Sequence, residues 1–129
     1  MSIVNTFAQG TAEEALEKGI EYYDKDGLDK AMAEFNKAIE IKPDYAEAYY
    51  NRGLVYIKKD KDEDGISDFT RAIQIKPDYT KAYLGRALTY FFQKKYDQSW
   101  EDVHKAESLG EKVDPTFIEI LKNNSGREK

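Results

Sequence analysis

The chain alternates between amphipathic segments and short polar turns. Within the segments, apolar residues recur at intervals of three, four and seven, as in Leu16, Ile20 and Tyr23. Residues at these intervals share one face of an α-helix. Polar turns at residues 24–27, 60–65 and 94–96 separate neighbouring segments. The pattern therefore predicts six helices, at residues 12–25, 28–41, 46–59, 62–75, 80–93 and 96–109.

A second pattern repeats every 34 residues across the same segments, a period typical of helix–turn–helix solenoid repeats. Small and aromatic residues recur together at this interval. The matching sets are Gly19, Gly53 and Ala87; Ala31, Gly65 and Ser99; Tyr22, Tyr56 and Tyr90; Phe35, Phe69 and Val103; and Ala38, Ala72 and Ala106. We expect Gly53 and Gly65 to lie where two helices cross closely, with the rings of Tyr56 and Phe69 beside them.

Proline marks the end of the second helix in the first two copies. Pro43 and Pro77 stand 34 residues apart, and proline both lacks an N–H and restricts the residue before it. These residues resemble the tetratricopeptide repeat family over residues 12–113, although Glu111 stands where a third proline is expected. The resemblance implies an all-α fold. It is a right-handed superhelical array (an α-solenoid) of three antiparallel helix pairs, at residues 12–45, 46–79 and 80–113.

The segments outside the repeats have separate predicted roles. Asp114 suits an N-cap and Pro115 the first position of a helix, so we expect a helix at residues 114–124. We interpret it as a capping helix that covers the exposed face of the last repeat. Residues 1–10 are predicted to form a flexible N-terminal arm and residues 125–129 a frayed tail.

Composition excludes several classes of function. The net charge is −5, whereas nucleic-acid binding needs a basic surface. The chain has no cysteine, so it has neither disulfides nor a thiolate site. No secretory signal and no apolar run of spanning length is visible. We therefore expect a cytoplasmic protein that uses no cofactor and binds neither nucleic acid nor membrane.

The acidic turn after the third helix imitates the start of a calcium-binding EF-hand loop. Its candidate ligands are Asp60, Asp62, Asp64 and Asp68, with Gly65 as the turn glycine. The twelfth position, however, requires a bidentate glutamate and holds Arg71. The repeat register also places Gly65 within a helix. We therefore predict a solvated turn with no metal bound.

The remaining candidates for chemistry also favour a structural interpretation. His104 is the only histidine, so no histidine-based metal site exists. Trp100 follows the small Ser99 in the repeat register, which favours packing within the third helix pair. The sequence contains neither a glycine-rich phosphate loop nor a nucleophile elbow. We expect no catalytic residues and no enzymatic activity.

The family resemblance implies that ligands lie in a concave groove lined by the first helix of each pair. Carried onto this chain, the predicted peptide-binding residues are Leu16, Ile20, Tyr23, Tyr50, Asn51, Leu54, Lys58, Lys81, Leu84, Leu88 and Phe92. Some family members clamp the carboxylates of chaperone tails with lysine, asparagine and arginine. Those five positions are occupied by Leu16, Ile20, Asn51, Lys81 and Gly85 here. Two of the five match, so a full carboxylate clamp is not expected.

The favoured hypothesis is a non-enzymatic protein-interaction scaffold that binds a peptide segment or a partner helix in this groove. The alternative is a self-association module that forms a homodimer through the groove or the terminal helix. A metal-binding or enzymatic protein is the weakest hypothesis. Arg52 and Arg86, which stand 34 residues apart, are expected to support neighbouring repeats rather than contact a ligand.

Overall fold

The computed structural model describes residues 10–127, and that range contains seven α-helices and no β-strand. The helices are α1 (Ala12–Asp24), α2 (Leu28–Ile41), α3 (Ala46–Lys58), α4 (Asp62–Ile75), α5 (Thr80–Phe92), α6 (Tyr96–Ser108) and α7 (Pro115–Ser125). The predicted all-α solenoid is thus confirmed, with four helices ending one residue earlier than predicted. Of the predicted N-terminal arm, residues 1–9 lie outside the described range.

Local sequence signals begin the helices at the two ends of the array. Thr11 and Glu14 form a capping box, in which each side chain accepts a hydrogen bond of 3.0 Å from the other residue's backbone N–H. Asp114 caps α7 by accepting the N–H of Thr116 at 2.8 Å, and Pro115 takes the first helical position. These bonds satisfy backbone donors that the first turn of a helix leaves free.

Each helix packs mainly against its neighbours along the chain, because α1 pairs with α2, α3 with α4 and α5 with α6. Glycine permits the closest approach: a Cβ atom on Gly53 would lie 2.9 Å from the buried ring of Phe69. The expected partner of Gly65 differs. Ile57, rather than Tyr56, fills the space there, and Tyr56 lies beside the guanidinium of Arg52 at 5.8 Å. The side chain one position further along α3 points at α4.

Two arginines hold neighbouring repeats together, as the sequence predicted. Arg52 donates two hydrogen bonds of 2.8 Å to the carboxylate of Asp68 and a third, of 3.0 Å, to Asn36 in the preceding repeat. Arg86 likewise donates two hydrogen bonds to the carboxylate of Asp102 and a third to Thr70 in the preceding repeat. Fork–fork contacts of this kind combine charge with fixed geometry. Burial raises the pKa of Asp68, although the guanidinium acts in the opposite direction.

Helix α7 covers the apolar face of the last pair. Leu121 is fully buried with Trp100 and Val103, and the indole N–H of Trp100 donates to the hydroxyl of Ser125 at 3.0 Å. Ser125 is therefore the last residue of α7 and not part of the frayed tail predicted to begin there. Arg127 then pairs with Asp97 at 2.8 Å. The predicted packing role of Trp100 is confirmed, since it is 2% exposed.

The acidic turn differs from a calcium loop in two respects. Gly65 lies within α4, where a Cβ atom would meet the side chain of Ile57, and Asp68 is held by Arg52.

His104 is exposed, with its ring stacked on that of Trp100 at 5.3 Å. No helix within residues 10–127 combines the length and the apolar character that crossing a membrane requires.

Candidate functional site

All of the predicted peptide-binding residues lie on α1, α3 and α5, the first helix of each pair, and these helices lie side by side. Helix α3 contacts both α1 and α5. The predicted residues are Leu16, Ile20 and Tyr23 on α1; Tyr50, Asn51, Leu54 and Lys58 on α3; and Lys81, Leu84, Leu88 and Phe92 on α5.

An apolar cavity of about 280 Å³ lies between α3 and α5. It brings together three of the predicted residues: Leu54, Leu88 and Phe92. Leu88 is 45% exposed and Phe92 is 71% exposed, so both present large apolar surface beside the opening. Exposed apolar surface that borders a cavity is typical of an interaction site.

The floor of this cavity is the ring of Phe69, which α4 supplies from between the two first helices. A Cβ atom on Gly53 would lie 2.9 Å from this ring, and one on Gly85 would lie 3.0 Å from it. Real Cβ atoms essentially never approach closer than 3.0 Å, and a contact of 3.0 Å is tighter than nine in ten of them. The two glycines therefore make room for a ring between α3 and α5. This floor is fixed by packing, because Phe69 is fully buried.

Tyr50 belongs to the interior as much as to the predicted groove. Its ring centroid lies 5.7 Å from that of Phe69 and 5.3 Å from that of Tyr79. Burial raises the pKa of both Tyr50 and Tyr79. Two other predicted residues pack against the interior: Leu16 against the core of the first pair and Leu84 against the core of the third.

The side of α3 that faces α1 presents a cation at the C-terminal end of the helix. The ammonium group of Lys58 lies 4.2 Å from the ring centroid of Tyr23, a cation–π contact, and 3.9 Å from the carboxylate of Asp26. The structure thus joins two predicted residues, Tyr23 and Lys58, across the α1–α3 contact. It places them outside the lining of the α3–α5 cavity.

The remaining predicted residues stand apart from the cavity. The side-chain amide of Asn51 donates to the carbonyl of Glu47, on its own helix, at 2.7 Å. This bond uses one of the two N–H donors of the amide. Ile20 is 36% exposed on α1, and Lys81 is exposed in the first turn of α5.

Some residues that line the cavity were not among the predicted ones. Ile57 and Thr89 follow Leu54 and Gly85 by three and four residues, so helical spacing alone could have identified them. Asp60 and Asp62 form an acidic edge on one side. The two carboxylates are conspicuous in the sequence, where they predict a solvated turn between helices. The sequence pattern does not show that this turn borders a cavity.

Two family models match the chain. One, described as "TPR repeat", matches residues 19–60, and the other, "Tetratricopeptide repeat", matches residues 46–79. A comparison with curated proteins found no match.

Several solved structures share the fold. The first tetratricopeptide repeat domain of Spaghetti (RPAP3), bound to the HSP90 peptide SRMEEVD, has a TM-score of 0.82 and 25% identity, covering 90% of this chain and 91% of that one. The TPR2B domain of yeast Sti1, in a complex with pHsp70, has a TM-score of 0.79 and 25% identity, covering 92% and 98%.

MamA is a third similar structure, with a TM-score of 0.76 and 27% identity. The match covers 79% of this chain and spans only 60% of the MamA chain. The repeated helix pairs, the two family models and these structures together establish that the chain belongs to the tetratricopeptide repeat family.

Proposed function

We propose that the repeats at residues 12–45, 46–79 and 80–113 form a protein-interaction scaffold. In this proposal, α1, α3 and α5 line a concave groove that binds a peptide segment or a helix of a partner. The apolar cavity between α3 and α5 carries the proposal most directly, because Leu88 and Phe92 leave large apolar surface exposed at its edge. Burying such surface against a partner is favourable by roughly 25 cal/mol per Å².

The solved relatives support the proposal at the level of peptide binding. Structures of Spaghetti (RPAP3) and yeast Sti1 domains contain an HSP90 peptide and pHsp70 respectively. The details of recognition differ in this chain, because Leu16, Ile20 and Gly85 occupy three of the five positions of the carboxylate clamp. Leu16 and Gly85 stand where that clamp has a lysine and an arginine, so most of its charge-assisted hydrogen bonds are absent. Apolar contacts at the α3–α5 cavity take a larger share of binding.

Selection from a phage-displayed library of random linear peptides tests this function. The library is panned in parallel on the unmodified protein, on Leu88→Asp and on Ala33→Asp. Ala33 is exposed on α2, so the second variant adds the same charge away from the first helices. We expect the unmodified protein and Ala33→Asp to enrich the same peptides, and Leu88→Asp to bind none of them.

Circular dichroism establishes that both variants are folded before panning. Enriched peptides that bind all three proteins equally would show that the cavity is not the binding site. Sedimentation across a concentration series separates peptide binding from self-association, in which a second copy covers the same apolar surface. A monomer at every concentration excludes the homodimer.

A further inference from the structure

The aspartate in the turn after α1 has an ion-pair partner in the next repeat. The equivalent aspartate after α3 has none within residues 10–127. Asp26, in the turn after α1, lies 3.9 Å from the ammonium of Lys58 at the end of α3. Thirty-four residues later, the corresponding positions hold Asp60 and Phe92. The aspartate is repeated, but a phenylalanine has replaced the lysine that would pair with it.

The edge of the α3–α5 cavity is consequently acidic. Of the nine residues that line the cavity, Asp60 and Asp62 are the two with ionisable carboxylates, and no lysine, arginine or histidine is among them. Within residues 10–127, neither carboxylate takes part in an ion pair. The chain as a whole carries a net charge of −5, which adds to the negative potential at this edge.

The interior of the cavity suits one large apolar side chain. Its volume of about 280 Å³ exceeds the ~150 Å³ of an engineered apolar cavity that binds benzene. Leu54, Leu88 and the ring of Phe69 provide apolar walls and a floor, and the exposed ring of Phe92 stands at the opening. An aromatic or branched aliphatic side chain that entered here would lie beside the two carboxylates.

We infer that this cavity recognises a protein segment in which a large apolar side chain stands next to a lysine or arginine. The apolar side chain fills the cavity, and the cation takes the place that Lys58 occupies beside Asp26 in the preceding interface. This specificity rests on the proposed peptide-binding function. It is opposite in charge to the acidic HSP90 peptide SRMEEVD bound by the Spaghetti (RPAP3) domain.

The sequences of the peptides enriched from the random library give the first test. We expect peptides that depend on Leu88 to share an apolar residue flanked by lysine or arginine. The affinity of a synthetic enriched peptide is then measured by fluorescence anisotropy. Replacing its cation with glutamate should weaken binding by more than replacing it with glutamine, because complementary charge sets specificity at interfaces.

The second test removes the acidic edge from the protein. The double variant Asp60→Asn/Asp62→Asn should weaken binding of the enriched peptide about three- to tenfold and reduce its dependence on sodium chloride. The control, Asp44→Asn/Asp78→Asn, makes the same change of charge at two exposed loop residues that do not line the cavity. We expect that control to bind as tightly as the unmodified protein.

The outcomes distinguish the specificity from the function beneath it. Enriched peptides that require Leu88 but carry acidic or neutral flanks would overturn the charge preference and leave peptide binding intact. If Asp60→Asn/Asp62→Asn bound the enriched peptide as tightly as the unmodified protein, the charge preference would likewise be overturned and peptide binding left intact. Peptides that bind Leu88→Asp as well as the unmodified protein would overturn the binding site itself, and the charge preference with it.

Discussion

Substitution of Gly19 by alanine should destabilise the protein even though alanine is the better helix former. A Cβ atom on Gly19 would lie 2.6 and 2.9 Å from Cδ1 and Cζ of Phe35, whose ring is fully buried. Alanine favours the helix by about 1 kcal/mol relative to glycine. Overpacking a rigid ring costs about 1–3 kcal/mol or more, and three ring atoms are affected here. With the cost in the upper part of that range, about 2–3 kcal/mol, and about 1 kcal/mol regained by the helix, we expect the free energy of unfolding to fall by about 1–2 kcal/mol.

The third repeat supplies a compensating substitution. At the positions equivalent to Gly19 and Phe35 it has Ala87 and Val103, both fully buried. The double variant Gly19→Ala/Phe35→Val transfers that combination to the first repeat. Alone, Phe35→Val leaves a cavity and should cost about 2–3 kcal/mol. In the double variant the added methyl group occupies part of that cavity, so the loss should be smaller than the sum of the two by about 1 kcal/mol or more.

Urea unfolding followed by far-ultraviolet circular dichroism measures the four proteins of this cycle. The slope of the free energy with urea should stay constant, so that differences in midpoint report stability. A Gly19→Ala variant as stable as the unmodified protein would refute the reasoning from close packing. So would single effects that add to within about 0.5 kcal/mol in the double variant, because distant, independent sites behave in that way.

Two further predictions concern ionisable groups. Burial, followed by the charge of Glu47, raises the pKa of Tyr79, so the unfolded chain loses this phenolic proton first and stability falls as the pH rises above about 10. Between a pH below 10 and a pH above it, the melting temperature of Tyr79→Phe should fall less than that of the unmodified protein. Equal falls in the two proteins would contradict the prediction. The lysine of Arg86→Lys cannot form the bidentate contact with the buried Asp102. The free energy of unfolding, measured with urea, should therefore fall by about 1–3 kcal/mol. A change near zero would show that the contact does not stabilise the fold.

Much of the fold follows from the sequence because the repeat restates each requirement. Small residues at Gly19 and Gly53 accompany rings at Phe35 and Phe69, and only a close helix crossing needs both. The choice between Tyr56 and Ile57 as the neighbour of Gly65 was not predictable. Adjacent residues of a helix differ in direction by about 100°, so a modest rotation of α3 decides which one faces α4.

The candidate site was predictable in its apolar part and not in its charged part. Helical spacing placed Leu54, Leu88 and Phe92 on one side of their helices, and the structure brings these three together. Asp60 and Asp62 lie in and after a turn, where periodicity gives no direction. Their position at the edge of the cavity depends on how α3, α4 and α5 cross, which is a property of the tertiary structure.

The order in which the helices pack also bears on how the chain folds. The principal contacts join helices that are consecutive along the chain, together with the next-but-one pairs α1–α3 and α3–α5. Native contacts therefore close short loops, and proteins rich in such local contacts fold within microseconds to milliseconds. A helix pair can form before its neighbour has done so, and the following pair then adds to a surface already in place. We expect rapid refolding from urea, beginning within individual helix pairs and spreading along the array.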